Sequence, residues 1–286
     1  MKIGLALGGG VAYGFAHIGV IKELEKFKIK PDIITGTSVG ALIGGIYASG
    51  VPIERVEKIA IDFKWLGVLK PILPKDGLIS LEKLENFVEE YAAVKNIEDT
   101  NIKFAAVATN ISTGSEKVFY EGPLAKAIRA SCSLPGIFTP AKIENNIFVD
   151  GGILDNVPAK IAKEMGADFV IGVDVTAKAI VANQGKNDIF DILWKSLQLM
   201  MQGNTALKGY SNDYKSADIM LMPDIKNYNP FDVSKREEII LKGVETVDAE
   251  IDNIINTIKE KKSVSSKIKN FLQKNIGKRG KGYIPR

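Results

Sequence analysis

The chain has 286 residues, 45% hydrophobic and 25% charged, enough for a large core and too apolar and charge-balanced for disorder. One cysteine, Cys132, excludes a disulfide framework or a multi-cysteine metal site, and one histidine, His17, excludes mechanisms that need two. The formal net charge of +4 hides an asymmetry: residues 255–286 carry ten Lys/Arg and one Glu, which leaves 28 basic and 33 acidic side chains, a net −5, on the first 254.

Met1-Lys2-Ile3-Gly4 lacks the charged lead and small-residue cleavage site of a secretory signal. Ile3–Ile21 and Ile33–Ile53 are long uncharged stretches, but their glycines disfavour a spanning helix. A cytoplasmic protein, not integral to a membrane, is expected. Ile3–Leu7 is a buried strand entering the loop Gly8-Gly9-Gly10. Helical periodicity follows through Ile18, Ile21, Leu24 and Phe27 until Pro31, and Ile33-Ile34-Thr35 starts a second strand. Val39–Ser49 reads as a buried helix closed by Gly50 and Pro52. Strand, helix, strand, helix predicts a parallel sheet covered by helices.

In residues 54–100 the strand signal fades, and two helical patterns flank an irregular Trp65–Leu78 stretch, a candidate cap or lid. Ser80 is the expected N-cap of a helix over Leu81–Tyr91. Further strands are expected at Ile102–Thr109, Lys117–Tyr120, Ile147–Val149, Phe169–Val175 and Asp218–Met222, and an amphipathic helix over Asp188–Lys208. Ser234-Lys235-Arg236-Glu237 has the form of a capping box for a long helix through Ile258, followed by a shorter one over Val264–Ile276. One domain is expected over residues 1–262, with 263–286 a basic amphipathic extension.

Three motifs bear on chemistry. A glycine turn between strand and helix presents amide N–H groups to negative charge. Gly8-Gly9-Gly10 fits neither the dinucleotide fingerprint, which wants glycine where Tyr13 stands, nor a Walker loop. It suits an oxyanion hole, or a turn that uses glycine only for its dihedrals. Gly36-Thr37-Ser38-Val39-Gly40 matches G-x-S-x-G between a strand and a helix, the context of a nucleophile elbow, although Ser38 would also serve as an N-cap. The serine needs a base. His17 lies upstream of Ser38, the wrong order for a Ser-Asp-His hydrolase, and reads better as a buried core residue. Asp150, after Ile147-Phe148-Val149 and before Gly151-Gly152, is the leading carboxylate; burial would have to raise its pKa.

Taken in order, Gly8–Gly14, Gly36–Gly40 and Asp150-Gly151-Gly152 resemble the patatin-like phospholipase family, its bacterial cytoplasmic branch in particular, as do Ala16–Val20, Val107–Asn110, Arg129-Ala130-Ser131 with Leu134-Pro135-Gly136, and Gly166–Asp168 leading to Val173-Asp174. The similarity runs from about Lys2 to Val175. It implies a three-layer α/β/α sandwich with a mainly parallel central sheet. It also implies a Ser38–Asp150 dyad without histidine, an oxyanion hole from the Gly8–Gly10 loop, and no metal or other cofactor. A lipid or acyl-ester substrate is the expected partner, with no nucleic acid. Where the family's loop usually carries Arg or Lys this chain has Tyr13, which weakens the case for a charged headgroup. Cys132 reads as core. The expectation is a serine acyl hydrolase of lipid esters. An acyltransferase using the same acyl-enzyme, or a non-catalytic lipid-binding protein, is the alternative. Trp65–Leu78 and Leu193–Met201 are candidate acyl-chain contacts, and the basic C-terminus a candidate anchor on anionic membranes.

Overall fold

The computed structural model describes residues 1–63, 70–71, 79–178, 192, 195–199 and 215–279; for 70, 71, 79 and 264–279 it describes the backbone alone. The strands are Ile3–Leu7 (β1), Ile33–Thr37 (β2), Lys70–Pro71 (β3), Ile79–Ser80 (β4), Lys103–Asn110 (β5), Ser115–Phe119 (β6), Ala141–Ile143 (β7), Asn146–Asp150 (β8), Phe169–Val173 (β9) and Ile219–Leu221 (β10). The helices are Phe15–Lys26 (α1), Val39–Ala48 (α2), Ile53–Asp62 (α3), Glu82–Tyr91 (α4), Leu124–Ser131 (α5), Ala159–Glu164 (α6) and Arg236–Arg279 (α7). β3 and β4 form a separate antiparallel pair.

The main sheet runs parallel through β10, β9, β1, β2 and β5. β6 lies antiparallel to β5 along Ala106–Asn110. β2 covers Lys103–Val107 of β5, and β8 pairs antiparallel with Ala108–Asn110. Since Ala106 and Val107 carry β2 and β6, while Ala108–Asn110 carry β6 and β8, β2 and β8 share one edge of β5 end to end. β7 extends β8 as an antiparallel hairpin.

Side chains alternate across the sheet as strand geometry requires. Leu5, Leu7, Ile34, Phe104, Ala106, Phe169, Ile171 and Val173 face the large core beneath α1 to α5 and α7. Ala6, Ile33 and Val170 face α6 through Ala159 and Ala162, and Ala105 and Val107 meet its Ile161. Both faces are covered, so the parallel strands read as continuous apolar runs. The result is the expected sandwich, with one helical layer much thinner than the other. α3 and α4 bury Ile53, Val56, Leu84 and Phe87 in the main core.

Several local expectations change. Trp65–Leu78 lies outside the described residues except 70 and 71. Asp188–Lys208 does so except 192 and 195–199, which are helical. Ser80 accepts the Glu82 amide at 3.2 Å from inside β4, one residue before the helix's N-cap. At the start of the long C-terminal helix the acceptor is Asp232, on the Ser234 amide at 2.8 Å, rather than a capping box at Ser234. α7 then continues through Ile258 and Val264 as one helix of 44 residues. Leu124–Ser131 and Ala159–Glu164, not expected as helices, are α5 and α6.

α7 is fixed at two places. Early on it crosses α1 so closely that a Cβ on Gly19 would lie 1.9 Å from the Ile240 carbonyl oxygen, and one on Gly243 2.0 Å from that of Ala16. Further along, the Lys261 ammonium pairs with Asp218, donates to the Asp168 carbonyl at 3.0 Å and lies over the Phe169 ring. Asp168 and Asp218 precede β9 and β10, so α7 passes the N-terminal end of the parallel strands at this point. Gly19→Ala must push backbone from backbone. It is expected to cost about 1–3 kcal/mol and lower the melting temperature by about 2–5 °C, measurable by thermal denaturation.

Candidate active site

The sheet register brings the candidate residues together. Thr37 pairs with Val107, and Ala108, the next residue of β5, pairs with Asp150. Ser38 leaves β2 where β8 arrives. Its φ of 55° and ψ of −126° lie in a region that costs a non-glycine residue about 1–3 kcal/mol. The flanking glycines allow this turn: a Cβ on Gly36 would lie 2.6 Å from the Ala41 backbone, and one on Gly40 2.2 Å from the Leu7 carbonyl oxygen. Ser38 is partly exposed and stands at the N-terminus of α2, whose dipole favours negative charge.

Asp150 is buried. Its carboxylate accepts a hydrogen bond from the Gly152 amide at 2.9 Å, while its own amide donates to the Ser133 carbonyl at 2.9 Å. Burial pushes the carboxyl up to about 6, against the nearby Ser38 side chain and the Gly152 amide, which favour the charged form. A Cβ on Gly151 would lie 2.3 Å from the Val107 carbonyl oxygen, so glycine is needed for the chain to turn beside β5.

The first glycine loop meets the elbow directly: a Cβ on Gly9 would lie 3.0 Å from that of Ser38. Gly8 donates to the Val173 carbonyl at 3.0 Å, and Gly9 to Asn156, at 3.3 Å to its carbonyl and 3.2 Å to Oδ1. Of the three amides expected to converge on one oxygen, those of Gly8 and Gly9 are already bonded within the protein. His17 lies 2.7 Å from the Gly8 carbonyl through Nε2, and burial lowers its pKa to about 4. The neutral ring donates to that carbonyl and holds the loop. Tyr13 is fully buried, and its hydroxyl donates to the Tyr228 carbonyl at 2.9 Å, while the Ala12 amide donates to that of Pro230 at 3.0 Å. Cys132 is buried in the core; burial, and then Asp150, raise its pKa well above the usual thiol value, so it stays protonated.

Four further side chains assemble these parts; Thr37 and Ser131 lie within motifs of the sequence that point to no such role, and Thr35 and Asn156 do not stand out. Thr35 and Thr37 donate from β2 to the carbonyls of Pro158 and Asp155 at 2.8 and 2.9 Å. Asn156 holds Gly9. Ser131 accepts the Ser38 amide at 2.8 Å. The segment after Asp150 is thus tied to both the elbow strand and the glycine loop. The only signal for it was position, between the Asp-Gly-Gly motif and Pro158. Leu197 packs with Leu134 and Ile137, beside Val11 and Phe138; the rest of the expected Leu193–Met201 contact face is described only at 195–199.

Among the described residues no group of three or more His, Cys, Asp or Glu is arranged to hold a metal ion, and no helix is long and apolar enough to cross a membrane.

The family model described as "Patatin-like phospholipase" matches residues 5–163, the stretch that holds the glycine loop, the elbow and the Asp-Gly-Gly turn. The chain belongs to the patatin-like phospholipase family. An uncharacterized NTE family protein of Mycobacterium tuberculosis is 36% identical over 180 residues, which cover 61% of this chain and 49% of that protein. Lysophospholipase NTE1 of Scheffersomyces stipitis is 30% identical over 271 residues, 86% of this chain and 18% of that one. The chain thus spans about half the length of the mycobacterial relative and under a fifth of the yeast one. In three dimensions it is similar to VipD from Legionella pneumophila, with a TM-score of 0.53 at 14% identity, over 88% of this chain and 67% of that one; this likeness bears on the fold.

The raised carboxyl of Asp150 has a stability consequence. Its folded pKa of about 6 exceeds the ordinary 3.8, so its favourable contribution is complete below 3.8 and is lost as pH rises through 6. Asp150→Asn is therefore expected to be more stable than wild type at pH 7.5, by up to about 3 kcal/mol for two pKa units. The gap should close by pH 4, as read from urea denaturation at both pH values.

Proposed function

We propose that this patatin-like chain is a serine acyl hydrolase that cleaves carboxylic esters of lipids through a Ser38–Asp150 dyad. The observation that carries the reading is the sheet register that sets the strained, partly exposed Ser38 beside a buried carboxylate whose pKa is raised to about 6. Asp150 takes the proton from Ser38 Oγ as the oxygen attacks the acyl carbonyl. It gives that proton to the leaving alkoxide as the ester C–O bond breaks, which leaves an acyl-serine. Asp150 then deprotonates a water that attacks this ester, and the proton returns to Ser38 as the fatty acid departs. The Gly10 amide and the N-terminal end of α2 stabilise the oxyanion. Support for lipid esters comes from family membership and from a relative that is named a lysophospholipase. No metal, cofactor or nucleic acid enters this reaction.

The catalytic unit is proposed to span residues 1–262, with 263–286 a basic extension that contacts anionic membranes from a cytoplasmic position. Because α7 passes the pole of the sheet opposite Ser38 before it reaches that extension, the contact would tether the enzyme and leave its active-site rim free.

Ser38→Ala and Asp150→Asn are each expected to lower hydrolysis of short p-nitrophenyl esters by at least ~10³-fold while remaining folded. Wild-type kcat/KM should rise with pH through about 6 as Asp150 ionises, then level off. Folded variants with wild-type rates would refute the dyad. Removal of residues 264–286 should reduce binding to phosphatidylserine vesicles, at about 1 kcal/mol per basic residue near the surface, with hydrolysis of a soluble ester unchanged. Undiminished vesicle binding would end the tether.

A further inference from the structure

Ser131 ends α5, fully buried, and has no place in the proton transfers. Its Oγ accepts the Ser38 amide at 2.8 Å and lies 2.6 Å from the Val107 carbonyl. The roles are fixed by chemistry. An amide N–H only donates and a carbonyl only accepts, so the hydroxyl proton points to Val107 and a lone pair faces Ser38.

The hydroxyl occupies the joint in the sheet. At Val107 the cover of β5 passes from β2 to β8, and β2 bends away there to form the elbow. A continuing strand would give its next amide to β5. Here the Ser38 amide reaches β5 through one interposed oxygen. That bond acts on the strained angle itself, since φ is rotation about the N–Cα bond and the N–H direction is its fixed reference. Ser38 holds its unfavourable φ only while its surroundings over-determine it. Two residues on, the Ser133 carbonyl accepts the Asp150 amide at 2.9 Å. The end of α5 thus holds both the serine and the carboxylate.

We propose that Ser131 is a positioning residue that fixes Ser38 at the angle from which its hydroxyl meets Asp150. This rests on the reading of Ser38 as the nucleophile. Without the hydroxyl, the Ser38 N–H and the Val107 carbonyl are both left without this partner. The elbow would relax and Oγ would turn off the line to Asp150. Substrate contacts would be untouched.

The test compares wild type, Ser131→Ala, Ser131→Cys and Ser38→Ala in p-nitrophenyl ester hydrolysis and in labelling by a fluorophosphonate probe. Folding is checked by circular dichroism. Expected for Ser131→Ala is a kcat lowered at least tenfold, KM within twofold of wild type, and probe labelling slowed by the same factor as kcat. Ser131→Cys puts a larger sulfur, only a weak donor and acceptor, in place of the hydroxyl, so the same result is expected. It decides the question alone if Ser131→Ala does not fold. A kcat and labelling rate within twofold of wild type in a folded variant, with Ser38→Ala inactive, overturns the positioning role and leaves the nucleophile in place. Wild-type turnover by Ser38→Ala overturns both.

Discussion

One edge of β5 is shared by two strands that meet end to end, and the active site is the consequence of that joint. β2 arrives parallel and stops opposite Val107; β8 arrives antiparallel and stops opposite Ala108. Each chain must turn away where it meets the other, and the two turns hold Ser38 and Asp150. The 112 residues between them in sequence therefore shrink to one rung of a ladder. Gly36, Gly40 and Gly151 are the residues that permit these turns, because at each a Cβ would overlap backbone at 2.6 Å or less. The same crowding explains why Asp150 is dry, and its dryness explains why its carboxyl titrates near 6.

The glycine loop is held from four directions: by Val173, by Asn156, by His17, and by Tyr13 and Ala12 on the segment before α7. Tyr13 stands where the family's loop usually carries a cation. Buried and bonded to a backbone carbonyl, it orders the loop with a hydroxyl in place of a charge. The lone histidine likewise works as a neutral hydrogen-bond donor beneath the loop. Its burial and its position under Gly8 agree with its reading as a core residue.

The parts of the fold that were legible in the sequence are those with a local signature. β1, β2 and α2 appear as apolar runs punctuated by glycine, and the motif residues fall at their ends. α5 was not legible because Leu124–Ser131 is short and enters from Pro123 without a capping side chain. α7 reads as two helices because its apolar stripe stops near Ile258. The charged Lys259-Glu260-Lys261-Lys262 and Ser263 interrupt the stripe without a Gly or Pro, so the backbone continues. The supporting shell was illegible for a different reason. Ser131, Thr35, Thr37 and Asn156 bond to groups 93 to 147 residues away. Small polar residues of this kind look alike wherever they occur, and only the register of the sheet assigns them partners.

The continuity of α7 turns a question of affinity into one of mechanics. Lys261 is clamped to the sheet, and the helix runs on for another eighteen residues to Arg279, roughly 27 Å at 1.5 Å per residue. A flexible tail would hold the enzyme near whatever it grips and leave it free to tumble. A helix is a stiff lever, and one anchored at Lys261 transmits direction as well as proximity. Whatever fixes its far end also sets the heading of the body, and with it the direction in which the Ser38 face looks.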